Sequence, residues 1–164
     1  MDKNNFIKNT EGLYEVQGCV EPQTIVQMAA DILLESITAG EPLSSAKSAA
    51  AFLQMALANE ENEHFAVLFL DRQHCVISFE TLFTGTIDSA PVFPRVVVKK
   101  ALMHNAAAVI LAHNHPSGSA EPSDADKVIT TRLCDALQLI DVTVLDHFIV
   151  TKHNHTSFAE LGLI

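Results

Sequence analysis

Three short, nearly unbroken apolar runs constrain this chain most. His64-Phe65-Ala66-Val67-Leu68-Phe69-Leu70 and Ala106-Ala107-Ala108-Val109-Ile110-Leu111-Ala112 lack the polar alternation of a half-solvated strand, so each reads as a strand covered on both faces. Val142-Thr143-Val144-Leu145 begins a third, which resumes at Phe148-Ile149-Val150 beyond Asp146-His147. After a turn at Asp71-Arg72-Gln73, Cys75-Val76-Ile77-Ser78-Phe79 reads as the hairpin partner of the first run. Helical spacing fills the intervals. Thr24 to Thr38 carries Ile25, Met28, Ala29, Ile32 and Leu33, with Gly40 and Pro42 as stop signals. A second helix starts near Ser44 or Ser45 and runs through Ala49, Phe52, Leu53 and Leu57. Pro94 suits the first turn of a third, through Val97, Val98, Ala101 and Leu102. Ser123 to Leu139 forms a fourth, striped by Val128, Ile129, Leu133 and Leu137. Residues 1–22 read as a loose arm. Strands alternating with helices imply a mixed α/β fold in which helices cover a central sheet.

Composition narrows the function classes. The 164 residues make one domain with a short extension, divided at 43/44, and 48% hydrophobic content is too high for a disordered chain. The net charge of −10, from 10 basic and 20 acidic residues, repels phosphate backbones and disfavours nucleic acid as a partner. Lys99-Lys100 is the one adjacent basic pair. No apolar run approaches the roughly 18 residues of a membrane span, and Met1-Asp2-Lys3-Asn4-Asn5 lacks the layout of a secretory signal. The three scattered cysteines, Cys19, Cys75 and Cys134, suit a reducing cytoplasm. Eight histidines beside one tyrosine and no tryptophan direct attention to metal chemistry.

That chemistry concentrates in His113-Asn114-His115-Pro116-Ser117-Gly118 and Ser123-Asp124-Ala125-Asp126. On an extended chain, positions two apart point to one side, so His113 and His115 can meet one ion. Pro116 and Gly118 force a turn that brings the next helix start back over the strand end. Asp126, in the first turn of that helix, can add an oxygen. Two nitrogens and one carboxylate suit zinc, with a position left for water. Ser123-x-x-Asp126 is equally a capping box, and the two roles need not exclude one another. The water requires a base. Glu63, at the mouth of the strand His64–Leu70, is the candidate, against the alternative of an ordinary exposed strand-end residue. Glu80 is weaker, and Glu60 and Glu61 read as solvated loop residues.

The His113-x-His115 pair, seven residues, Ser123-x-x-Asp126 and an upstream Glu at a strand start resemble the JAMM (MPN+) metalloprotease signature. The form His113-Asn114-His115-Pro116-Ser117-Gly118 with Pro122-Ser123 resembles the bacterial RadC family within that group. Glu63-His64-Phe65, Leu82-Phe83-Thr84-Gly85-Thr86, Pro94-Arg95, Asn105 to Ile110, Asp146-His147 and Ser157 to Gly162 extend the likeness over roughly residues 44–164. Val96 departs from it, since the family often has an acidic residue after Pro-Arg. The resemblance implies a three-layer α/β/α, cytidine-deaminase-like fold (a JAB/MPN domain) in a short, stand-alone form. It implies one zinc ion on His113, His115 and Asp126, Glu63 as the base, and Ser123 as donor to the oxyanion of a tetrahedral intermediate. The expected activity is hydrolysis of an amide or isopeptide bond in a protein or peptide. The rival expectations are a DNA-repair-associated binding protein and a metal-stabilised interaction module without turnover.

Other residues carry blander expectations. His153-Asn154-His155 repeats the triplet but reads as a surface turn, because no Ser-x-x-Asp follows. Asp146-His147 is either a pair that orients a ligand imidazole or a strand-end hydrogen bond. Cys134 reads as packing. The apolar N-terminal helices could pack on a second copy as a homodimer.

Overall fold

The computed structural model describes residues 5–37, 43, 45–85 and 92–164. Thr38, Gly40, Pro42, Ser44 and Thr86, named above, lie outside them. The described chain runs β1 (Phe6–Lys8), β2 (Tyr14–Val16), α1 (Pro22–Ile37), α2 (Ala46–Leu57), β3 (His64–Leu70), β4 (Val76–Thr84), α3 (Pro94–Met103), β5 (Ala108–Asn114), α4 (Asp124–Gln138), β6 (Thr143–Val150) and β7 (His155–Ser157). Five strands form one mixed sheet in the order β4-β3-β5-β6-β7. Every adjacent pair is antiparallel except β5 and β6, which run parallel.

Strand parity divides the core into two halves, because successive side chains leave a strand on opposite faces. Ala66, Leu68 and Leu70 of β3, Ala108, Ile110 and Ala112 of β5, and Phe148 and Val150 of β6 pack with Ala49, Phe52, Leu53 and Leu57 of α2. Leu33 and Leu34 of α1 complete that half. The opposite residues Phe65, Val67, Phe69, Val109 and Leu111 pack with Val97 and Ala101 of α3 and with Leu133 and Leu137 of α4. Helices therefore cover both faces, and the fold is the expected three-layer α/β/α arrangement.

Several local expectations are corrected. The supposed arm holds the β1–β2 hairpin, in register Phe6↔Val16. Its loop is tied by Asn9 Oδ1, which accepts from Glu11 N and Leu13 N. Each strand is three residues long, too short to show a period. The strand read as Cys75–Phe79 extends to Thr84, and the third run passes through Asp146-His147 without a break. In α1 the residues turned to the core are Ala30, Leu33 and Leu34, while Ile25 and Ile32 are exposed. In α3 Leu102 is exposed, and in α4 Val128 is. The buried stripe of α4 is Asp126, Thr130, Leu133 and Leu137, so two polar side chains lie on the face that meets the sheet. His153 and Asn154 lie in a surface turn as expected, but His155 opens the edge strand β7. Cys134 is half-buried on α4, and burial pushes its thiol pKa up.

Glu80 belongs to a different cluster from the histidine triplet. It bonds Lys100 (Nζ to Oε2, 2.6 Å) and His104, tying α3 to the edge strand β4. The Lys100 hydrogen bond outweighs desolvation and lowers the Glu80 pKa below its ordinary 4.5. A carboxylate depressed on folding adds stability above that ordinary value and loses it as pH falls through the folded one. Glu80→Gln should cost about 1 kcal/mol at neutral pH. The difference from wild type should close progressively as pH falls below that ordinary value, as read from urea midpoints across a pH series.

Candidate metal centre

The site is built at the end of β5, the strand held between β3 and β6. His113 is fully inside, at 1% exposure, where parity turns it toward α4. Asn114 is equally buried and points to the opposite face. His115 follows the strand, with its backbone N donating to Val150 O at 3.0 Å. The chain then turns sharply. Gly118 N donates to His115 O at 3.0 Å, and Gly118 sits at φ +88, which favours a residue without Cβ. The turn leads to Ser123, the N-cap of α4, and Asp126 is the third residue of that helix.

Sequence-distant atoms converge here. His113 Nε2 lies 3.0 Å from His115 Nε2 and 3.2 Å from Asp126 Oδ1, and His115 Nε2 lies 3.5 Å from Asp126 Oδ2. Among the described residues these three form the one group of His, Cys, Asp or Glu side chains with ligand atoms all within 4.8 Å. Donor atoms about 2.0–2.1 Å from a tetrahedral ion stand roughly 3.3 Å apart, so the triangle has the size that zinc requires. The far side of each of these three side chains is engaged by protein. His115 Nδ1 meets Ser119 O at 2.8 Å, and His113 Nδ1 meets His147 Nε2 at 2.8 Å. Asp126 Oδ2 accepts from both Ser123 N (2.8 Å) and Ser123 Oγ (2.6 Å), leaving Oδ1 toward His113. The residues present fit one divalent ion.

The electrostatics agree with that donor set. Burial by itself would raise the Asp126 carboxyl, but contacts with His113 and His115, helped by Ser123, hold it well below the usual carboxylate range. Asp126 raises His115 against its own desolvation, with smaller contributions from Ser119 and from the charge of Glu63. Burial, followed by the charge of His113, pushes His147 well below an ordinary histidine. His147 is therefore a neutral imidazole.

Residues 43–163 match the family model described as the RadC-like JAB domain. The chain belongs to the RadC-like JAB-domain family. A UPF0758 protein of Vibrio cholerae serotype O1 (strain M66-2) is 51% identical over 162 residues, which cover 99% of this chain and 71% of the relative. A UPF0758 protein of Vibrio parahaemolyticus serotype O3:K6 is 51% identical over 145 residues, covering 88% and 65%. One from Tolumonas auensis is 52% identical over 143 residues, covering 87% and 64%. This JAB domain thus spans between 64% and 71% of the length of those relatives.

The JAB domain places the other sequence-derived site residues as follows. Ser123 is a helix cap: its Oγ accepts from Asp126 N at 3.1 Å while donating to Asp126 Oδ2. Glu63 immediately precedes β3, half-buried, with its carbonyl accepting from Gly85 N at 2.8 Å. Its charge reaches His115. Glu61 is exposed, and Glu60 lies 3.7 Å from His64. A groove of about 390 Å³, lined in part by Glu60, Glu61, Pro116 and Lys152, opens beside His115. The Asp146-His147 pair divides between the two faces of the sheet. The His147 side chain supports His113, whereas Asp146 accepts from His147 N, Ser157 Oγ and Ala159 N and so anchors the C-terminal turn.

Sequence reasoning missed Thr130 and Asn114. Thr130 stands four residues after Asp126 on the buried stripe, and that spacing was its signal. Asn114 Oδ1 accepts from His64 N at 2.7 Å, and its Nδ2 donates to Asn62 O at 3.0 Å and Glu60 O at 3.4 Å. The residue between the two histidines thereby fixes the loop that carries Glu63. Asn114→Ala would leave His64 N–H and the Asn62 carbonyl without these partners. The expected cost is about 2–3 kcal/mol, and a urea midpoint within about 0.5 kcal/mol of wild type would contradict it.

Proposed function

We propose that this JAB domain is a zinc-dependent hydrolase of the peptidase or isopeptidase type. The family's relation to metalloisopeptidases supports the class. The observation that carries the reading is the convergence of His113, His115 and Asp126 with their opposite atoms already held by protein. His113, His115 and Asp126 would hold one zinc ion, which would supply a Lewis acid for the amide carbonyl and a water acidic enough to lose its proton near neutral pH. Glu63 would take that proton on its carboxylate and return it to the departing amine. Ser123 Oγ–H turns from Asp126 Oδ2 toward the developing oxyanion. Asp126 Oδ2 still accepts from Ser123 N, so the carboxylate keeps its orientation when the hydroxyl leaves. The substrate is a protein or peptide entering along the groove beside His115. The three free cysteines fit a cytoplasmic setting, and no described helix is long and apolar enough to cross a membrane.

Zinc should raise Tm by about 5–10 °C at free concentrations near 100 times Kd, equivalent to about 2.7 kcal/mol. His113→Ala should abolish that rise, and elemental analysis should find one equivalent in wild type only. A wild-type chain that neither retains zinc nor responds to it sinks the reading. Glu63→Gln should keep the zinc and lose about 10²–10⁴-fold in turnover of peptide or isopeptide-linked substrates. Undiminished hydrolysis by that variant would remove Glu63 from the role of base.

A further inference from the structure

The hydrogen bonds behind His113 form a closed circuit. Thr130 Oγ1 donates to the backbone O of Asp126 at 2.6 Å, and the same oxygen lies 2.6 Å from His147 Nδ1. His147 Nε2 lies 2.8 Å from His113 Nδ1. His113 Nε2 faces Asp126 Oδ1, so the chain leaves one proposed ligand and ends on another. His147 and Thr130 are 0% and 1% exposed, and neither is a member of the ligand triangle.

Proton counting fixes the direction of every bond. Thr130 has one hydroxyl hydrogen, and the Asp126 carbonyl can only accept. If that hydrogen pointed to His147 instead, two lone-pair oxygens would face each other at 2.6 Å. The hydrogen therefore goes to the carbonyl, and His147 Nδ1 carries the proton that it donates to Thr130 Oγ1. A neutral imidazole has one ring proton, so His147 Nε2 is an acceptor. His113 Nδ1 must then be the donor, so in the neutral form of His113 it is Nε2 that carries the lone pair, aimed into the triangle.

We infer that His147 and Thr130 are positioning residues that set the tautomer of His113, presenting its Nε2 lone pair to the metal. This rests on the metal reading above and adds two residues to it. Metal-ligating histidines ordinarily donate their second N–H to a carboxylate, a carbonyl or a water. Here a second histidine accepts it, and a threonine on α4 dictates which way that histidine points. The contact between Thr130 and His147 also ties α4, one turn beyond Asp126, to β6.

Removing the hydroxyl reverses the logic. In Thr130→Val, His147 Nδ1–H faces a methyl group. Nothing then holds the proton on Nδ1, and moving it to Nε2 makes His113 Nδ1 the acceptor. The His113 proton then sits on Nε2 and points at Asp126 Oδ1, where zinc must displace it.

The test uses the full chain in wild-type, Thr130→Val and Thr130→Ser forms, because His147→Ala would also hollow the core. Two-bond ¹H–¹⁵N correlations of the metal-free protein at mildly alkaline pH read the tautomers. Zinc alone, competed against a chromophoric chelator, reads affinity. Wild type should show His113 and His147 protonated at Nδ1. Thr130→Val should move His113 toward Nε2–H and weaken zinc by about 10–100-fold. Thr130→Ser should restore both within a few-fold. Wild-type His113 protonated at Nε2, or Thr130→Val binding zinc as tightly as wild type while wild type does bind, overturns the inference and leaves the metal site standing. A wild type that binds no zinc overturns the metal reading, and the His113 tautomer then decides the hydrogen-bond circuit by itself.

Discussion

A strand paired on both edges and covered on both faces has no water to satisfy polar side chains, and β5 ends in a run of them. Every nitrogen and oxygen of His113 and Asn114 has to find protein partners, because a buried polar group left alone costs about 1–3 kcal/mol. No buried side-chain polar atom of the described residues lacks a partner. The partners come from four directions. Asn114 reaches back to the Glu60–Asn62 loop, His113 reaches β6, His115 reaches the turn at Ser119, and Asp126 closes from α4. The requirement that β5 be satisfied is thus also what assembles the site.

One consequence is that structure and chemistry share atoms. The Ser123–Asp126 capping box is an ordinary way to start a helix, with the two backbone N–H groups satisfied reciprocally. Here it also spends one carboxylate oxygen and leaves the other facing His113. The capping role and the proposed ligand role are compatible because a carboxylate has two oxygens. The same economy applies to Thr130, whose bond to the Asp126 carbonyl is a common helical i−4 contact, yet whose oxygen orders a buried histidine.

The buried strands were legible because β3 and β5 are apolar on both faces, and His64–Leu70 was readable to the residue. The His113, His115 and Asp126 trio was legible because two local rules, strand parity and helix capping, place them. Less legible were elements whose signal is weak or borrowed. The three-residue strands β1, β2 and β7 carry too few residues for a period. The helix faces of α1 and α4 were partly misjudged because hydrophobicity alone ranks Ile25, Ile32 and Val128 as core, whereas packing on α2 buries Ala30 and Leu34 beside the expected Leu33 in α1, and the sheet buries Asp126 and Thr130 in α4. The Asp146-His147 pair looked like one unit because adjacent letters suggest adjacent roles. On a strand, adjacent residues face opposite ways, and each went to a different layer.

By itself the sequence determined the layered α/β class, the buried strands and the helix that opens with an acid, because apolar period and capping chemistry act over a few residues. The tertiary structure alone decided that His147 stands behind His113, that Asn114 holds the loop of Glu63, and that Thr130 sets the direction of the hydrogen bonds. Those contacts join residues 34, 50–52 and 17 positions apart. Their register depends on how β5 and β6 pair and where α4 lies across them, which no local pattern encodes.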